Sequence, residues 1–361
     1  MNKISEYNLK LLLEELGKYS SRMAGYYEHL QAYNFIKNQL NDYIRIDFNE
    51  KKRIMKSWLC EYSTLYYEDE HMEIEHYPLV MSPSGSVLAD TTILKPYSSL
   101  NNLDRKVVIA FCNSARVRNM LCRTVHEKGG LALVFVSTTP GFYVKITRLN
   151  DCSIPAMVTS LELGLEIAKR GGRVYLYQET RRPVSKVVDL VAELGGGLDE
   201  EILIYSHYDS IPYSNGATDD AAGTAVLLEL MRVLKNERLR RSIRFYLSGC
   251  GELGGFKQAK ESNDKLRIIV DSIGLFYTKL SVLTSNDIDK RVLGLIKSIT
   301  KEFDIDLKVG EFKGKIILIR DKHNIVRHTP EDTIDKVGIV KLRYACNFLY
   351  TLIKEVDSIN F

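Results

Sequence analysis

Between residues 9 and 43 the apolar positions recur at helical spacing: Leu9, Leu12, Leu13 and Leu16, then Ala32, Phe35, Ile36 and Leu40. Recurrence every three to four residues puts each set on one helical face. The intervening S-S-R-M-A-G, ending at Gly25, divides the pattern into two helices. From 58 to 91 the rhythm shortens to strands and turns, with S-P-S-G at 82–85 as the plainest turn signal. A compact alternation follows. It predicts a strand over 106–111, a helix over 114–128 and a strand over 131–136. I-P-A at 154–156 then leads through Val158 to a helix over 161–170 and a strand over 174–177. Gly129-Gly130 and Gly171-Gly172 are the helix stops.

After Arg181-Arg182-Pro183 the elements lengthen. Strands are predicted over 187–193 and 202–205, around the turn G-G-G-L-D. A helix over 220–235 carries Ala222, Val226, Leu227, Leu230, Met231 and Leu234 on one face. Strands over 243–247 and 266–270, a helix over 287–302, a strand over 315–319 and a closing helix over 335–354 complete the chain. Strands alternating with helices predict an α/β fold, a mainly parallel mixed sheet with helices on both faces. The shorter-period stretch reads as an inserted module of its own. The expected division is residues 1–70 and 183–361 in a main domain and 71–182 in a smaller inserted α/β domain.

At 361 residues the chain is long enough for two cores. A formal charge of +4 is too weak to predict nucleic acid or an acidic membrane as partner. Apolar runs are short, so no membrane span is expected. The opening M-N-K-I-S-E-Y-N-L-K has no apolar signal region, which sets a cytoplasmic expectation. The six cysteines (60, 112, 122, 152, 250 and 346) form no C-x-x-C pair and read as reduced thiols rather than zinc ligands.

Candidate chemistry concentrates in the second half. His207 in H-Y-D-S, Asp219 in G-A-T-D-D-A-A-G, Glu252 in G-E-L-G, Asp271 in V-D-S-I-G and His328 in H-T-P-E-D-T each fall at a strand end or beside a turn. Taken singly they have plainer readings: a helix cap for Asp219, a turn former for Asp271, a solvated loop imidazole for His328. Taken together, two imidazoles and three carboxylates suit divalent cations, zinc above all. Parallel sheets collect ligands at the carboxyl ends of their strands, where His207, Glu252 and Asp271 are predicted to lie. Asp209, two residues beyond His207, can accept the free ring N–H of that imidazole if the strand continues to it.

These motifs, in this order, resemble peptidase family M28, the zinc aminopeptidases, over most of the chain. S-S-R-M-A-G resembles that family's opening R-x-x-G signature, and the stretch from about 70 to 182, with I-P-A-M, resembles a protease-associated (PA) domain. The resemblance implies two zinc ions, His207 and Asp271 on one, Glu252 and His328 on the other, and Asp219 between them. Asp209 would support a ligand. It further implies hydrolysis of N-terminal residues from peptide substrates through a metal-activated water; whether the protein forms a homo-oligomer is left open by the sequence. The chain departs from the family pattern at Gly251, where the general-base Glu of E-E-x-G would stand, and in the basic stretch G-K-I-I-L-I-R-D-K-H-N-I-V-R before His328. Asp220, Glu261, His323 and Glu331 are the candidate replacements for the base. A base contributes about 10²–10⁴-fold, so a Glu restored at 251 is expected to raise the rate if the fold and metals are otherwise intact. Two alternatives follow: a catalytically impaired, metal-binding peptide-binding or assembly protein, and a single-zinc enzyme resembling glutaminyl cyclases.

Overall fold

The computed structural model describes residues 4–69, 72–94, 103–141, 143–255, 264–310 and 313–361. The chain opens with α1 (Glu6–Gly17), capped by the Ser5 hydroxyl, and α2 (Tyr27–Asn38), which runs on into a wider turn at Gln39–Ile44. Strand β1 (Phe48–Lys56) follows. The next stretch holds β2 (Leu59–Tyr67), β3 (Tyr77–Pro78), β4 (Gly85–Leu94), β5 (Val107–Phe111), α3 (Ala115–Glu127), β6 (Ala132–Val136), β7 (Ala156–Thr159), α4 (Leu161–Arg170) and β8 (Arg173–Arg181). The chain then continues through β9 (Val184–Leu194), β10 (Leu198–His207), α5 (Ala222–Leu234), β11 (Arg241–Ser248), β12 (Asp264–Val270), β13 (Leu280–Ser285), α6 (Lys290–Glu302), β14 (Asp306–Gly310), β15 (Ile316–Asp321) and α7 (Ile339–Ser358).

These elements form two compact units, one of Met1–Met55, Lys186–Arg327 and Asp332–Phe361, the other of Lys56–Ser185 and His328–Glu331. The first junction falls ahead of residue 70 because β2 pairs antiparallel with β8, inside the smaller unit's sheet. That sheet has the order β2-β8-β4-β5-β6-β7-β3, and β4, β5, β6 and β7 run parallel. Its core gathers Val107, Ile109, Val134, Val136, Met157 and Ile167.

The larger unit carries an eight-stranded sheet of order β1-β9-β11-β10-β12-β15-β13-β14. Its centre, β11-β10-β12-β15, is parallel, as the run of apolar strands predicts for a sheet covered on both faces. Strands β9 and β13 join it antiparallel, and β13 and β14 were not expected from the sequence. Helix α5 is buried at every position except Arg232, because it packs against α1, α7 and the strands. It starts at Ala222 rather than 220, since Asp219 and Asp220 have non-helical φ of −128° and −137°. The closing helix starts later too: a single turn at Ile334–Lys336 and the extended Gly338 precede α7.

The opening R-x-x-G stretch has a clear physical task. Arg22 is fully buried, and its guanidinium donates to the carbonyls of Tyr208 (2.7 Å), Tyr19 (2.9 Å), Gly216 (3.1 Å), Leu16 (3.3 Å) and Asn215. Its amide donates to Ser210 Oγ at 2.9 Å. One planar fork thus supplies donors to carbonyls of the loop between β10 and α5. Burial lowers the guanidinium pKa to about 10, with Asp209 the foremost of the carboxylates that oppose the fall, so the group stays charged at neutral pH. An Arg22→Met variant should lose on the order of 3–5 kcal/mol in chemical denaturation, because several buried carbonyls lose their donor. Arg22→Lys should recover only part of this, lacking the planar fork. Wild-type stability in either variant would show that water replaces the guanidinium.

Candidate metal centre

Three adjacent parallel strands end at one edge of the larger sheet, and the candidate ligands sit there. Tyr205 on β10 lies opposite Tyr246 on β11 and Ile269 on β12, so the strand ends are aligned. His207 is the last residue of β10, Asp271 follows β12, and Glu252 lies in the turn after β11. Asp219 comes from the Ala217–Ala221 turn ahead of α5 and is joined to Asp220 by a cis peptide bond. Gly216 enters that turn at φ +54°, where a Cβ would lie 2.5 Å from the Asp219 carbonyl.

The structure brings His207, Asp219 and Asp271 together. His207 Nε2 is 3.6 Å from Asp219 Oδ1 and 3.7 Å from Asp271 Oδ1. A tetrahedral zinc with bonds of about 2.0–2.2 Å holds its donors roughly 3.4 Å apart. One nitrogen and two carboxylate oxygens at this spacing therefore fit such an ion. The Ser272 hydroxyl lies between the two carboxylates, 2.9 Å from Asp219 Oδ1 and 2.8 Å from Asp271 Oδ1. Burial opposes a charge on His207, but its bonds to Asp209, Asp219 and Asp271 outweigh this and push its pKa well up.

Asp209 supports this arrangement, although β10 ends at His207 and does not extend to it. His207 Nδ1 lies 3.2 Å from Asp209 Oδ1 and 3.1 Å from the Asp209 carbonyl. With Nδ1–H so committed, Nε2 is the ring nitrogen left facing Asp219 and Asp271, where a cation would take the place of its proton. The same carboxylate accepts the amides of Gly251 at 2.7 Å and Glu252 at 3.0 Å, which fixes the turn bearing Glu252 against the end of β10. Asp189 on β9 holds the start of that turn by accepting the Gly249 amide at 2.9 Å, the Tyr246 hydroxyl at 2.6 Å and Arg53 Nε at 2.6 Å. His29 donates to the Gly249 carbonyl at 2.8 Å. His328 falls in the His328–Glu331 segment grouped with the smaller unit, at φ +62°, its carbonyl accepting the Ile146 amide at 2.8 Å.

The candidate replacement bases fare unequally. Asp220 is buried and engaged, accepting the Ser206 hydroxyl at 2.6 Å, the Gly223 amide at 3.2 Å and the His207 amide at 3.4 Å. It therefore ties the strand end to α5. His323 is exposed, Glu331 lies in the smaller unit, and Glu261 is outside the described residues.

Two further residues went unassigned in the sequence. Asp332, within H-T-P-E-D-T, accepts the amide and hydroxyl of Thr218 at 2.7 and 2.8 Å and so positions the residue before Asp219. Burial raises its carboxyl to about 7. Arg327 places Nε 3.0 Å from Asp219 Oδ2 and Nη2 3.6 Å from Asp271 Oδ2. Asp219, followed by Asp271 and Glu252, holds its pKa even higher than usual against burial. The only sequence signal was a basic residue beside a candidate ligand.

The space around Gly251 bears on a restored base. A Cβ there would lie 2.3 Å from His207 Cγ and 2.5 Å from His207 Cβ. A Glu side chain at 251 therefore cannot enter without moving His207 at the end of β10 or the turn itself, so a single substitution there is not expected to raise a rate.

Comparison with known proteins meets this geometry. Residues 189–279, which carry His207, Asp219, Glu252 and Asp271, match the model of peptidase family M28. Aminopeptidase YwaD of Bacillus subtilis is 35% identical over 99 residues, covering 24% of this chain and 21% of that protein. The chain's matches thus span about a fifth or less of the curated relatives' length. Over nearly the whole chain, the fold is similar to BSAP, a zinc aminopeptidase from Bacillus subtilis, with a TM-score of 0.80 and 16% identity over 99% of this chain and 96% of that one. It is similar too to a peptidase M28 precursor from Shewanella amazonensis, with a TM-score of 0.79 and 16% identity over 99% and 98%.

The Gly251 contact is directly testable. Gly251→Ala should cost about 1–3 kcal/mol, the usual range for overpacking, and should weaken zinc binding in a competition titration by displacing His207. Gly251→Glu should show no gain in hydrolysis. A Gly251→Ala protein with unchanged stability and zinc affinity would mean that the turn relaxes away from the ring.

Proposed function

We propose that this chain, related to peptidase family M28 over residues 189–279, is a zinc-dependent aminopeptidase that removes N-terminal residues from peptides. The observation that carries the reading is the triangle of His207 Nε2, Asp219 Oδ1 and Asp271 Oδ1, with the far ring nitrogen of His207 committed to Asp209. The descriptions of the Bacillus subtilis relatives as an aminopeptidase and a zinc aminopeptidase support the same activity. In this reading His207 and Asp271 hold one cation, Glu252 and His328 a second, and Asp219 lies between them. Ligand type supports the second site, since Asp219, Glu252 and His328 each offer one suitable donor atom.

Zinc bound at such a centre supplies a more acidic water and a Lewis acid for the scissile carbonyl. The chain's own residues do the positioning. Asp209 fixes the tautomer of His207 and draws the Glu252 turn towards it through two amides. Asp332 holds Thr218, and Asp220 holds the end of β10, so the backbone on both sides of Asp219 is pinned. Among the described residues, no helix is long and apolar enough to cross a membrane.

Gly251 favours a second reading, a metal-binding protein that holds peptides without cleaving them. The turn is closely packed on His207 and carries no carboxylate at that position.

Purified protein should bind zinc and release 4-nitroaniline from an aminoacyl-anilide panel, and a chelator should stop the release. Asp209→Ala should lower zinc affinity by about 10–100-fold, the usual cost of removing a ligand's hydrogen-bond partner. Asp219→Asn should lose zinc and hydrolysis together. Zinc retained without hydrolysis would select the peptide-binding reading; chelator-insensitive hydrolysis, or an Asp219→Asn protein with wild-type zinc content, would overturn the assignment.

A further inference from the structure

We infer that Arg327 competes with a second cation for Asp219, so that the centre binds one divalent cation tightly and a second only when the guanidinium moves away. The inference rests on the metal-dependent reading above and concerns how unequal its two cation sites are.

The two oxygens of Asp219 face different partners. Oδ1 turns to His207 Nε2 and the Ser272 hydroxyl, whereas Oδ2 accepts Arg327 Nε at 3.0 Å. Asp271 repeats the division: Oδ1 faces His207 and Ser272, and Oδ2 faces Arg327 Nη2 at 3.6 Å. The inner oxygens therefore converge on the imidazole, and the outer ones on the guanidinium. A carboxylate that bridges two cations with one oxygen on each uses both of its oxygens. Here the second oxygen of the candidate bridge already serves a charged donor.

Arg327 is anchored at its own backbone. Its amide donates to Asn324 Oδ1 at 3.0 Å, and Asn324 Nδ2 donates to Thr218 Oγ1 at 2.8 Å, next to Asp219. The Asp219 side chain is 1% exposed and that of Arg327 29%, so the pair is only weakly screened by solvent. Charge counting points the same way. Asp219, Asp271 and Glu252 bring three negative charges; one divalent cation and Arg327 balance them, whereas two divalent cations with Arg327 in place leave two positive charges in excess.

The test is a zinc titration of metal-stripped full-length protein against a chromophoric chelator, repeated with cobalt so that each site can be followed by its absorption. Wild-type protein should show one tight site and a second weaker by about 10²-fold, within the range over which close charge pairs couple. Arg327→Met should strengthen the second site at least tenfold and leave the first within a few-fold. Arg327→Lys, which keeps the charge, should retain a weak second site. Thermal melts of the stripped variants report whether they are folded, and the wild-type ratio needs no variant at all. Two equally tight wild-type sites would overturn the inference while leaving the metal-dependent reading intact. So would a second site unchanged in a folded Arg327→Met protein. Wild-type protein that binds neither zinc nor cobalt would overturn both.

Discussion

Buried carboxyl groups, two of which (Asp220 and Asp332) burial pushes towards the neutral form, are the constraint around which the larger unit is organised. Asp189, Asp209, Asp219, Asp220 and Asp332 are all at most 2% exposed, and all contact the ends of β9, β10 and β11 or the loops that follow them. An isolated buried carboxylate is costly, so each needs donors arranged around it. Backbone amides supply many of them: Gly249 to Asp189, Gly251 and Glu252 to Asp209, Thr218 to Asp332, Gly223 to Asp220. The loop conformations are in this sense consequences of where the carboxylates lie. A divalent cation bound among these groups would add to this compensation and so link ion binding to stability.

Two arginines meet the same charge in different ways. Arg22 is wholly buried and spends its donors on carbonyls, so it shapes the loop between β10 and α5 and acts on the aspartates only through its charge. Arg327 contacts the carboxylates themselves, from a partly exposed position beside the proposed ligands. The first is a structural support of the loop. The second stands where it opposes further positive charge, which makes the number of cations a property of this chain's own residues.

Gly251 shows why a one-letter departure cannot be judged alone. In the sequence it reads as an absent carboxylate, with the implication that replacing it would return what is missing. In the fold a Cβ at 251 would lie 2.3 Å from His207 Cγ and the Gly251 amide is held by Asp209, so the turn as it stands leaves no room for a side chain. The geometry of the whole turn, and not just the missing group, separates this centre from one with a base in that position.

The sequence by itself determined the central architecture and the ligand candidates. Apolar strands at 202–205, 243–247, 266–270 and 315–319 are long enough and regular enough to specify a parallel sheet, and polar residues at their ends mark its working edge. It did not reveal β13 and β14, whose pairing depends on neighbours distant in the chain, or the late start of α5, which the non-helical backbone of Asp219 and Asp220 sets. Only the tertiary structure decided which oxygen of Asp219 meets His207 and which meets Arg327, and that Gly251 has no room for a side chain. Periodicity reports which face of an element is buried. It carries no information on the direction of a carboxylate or the gap between two loops, because both are set by packing between segments far apart in sequence.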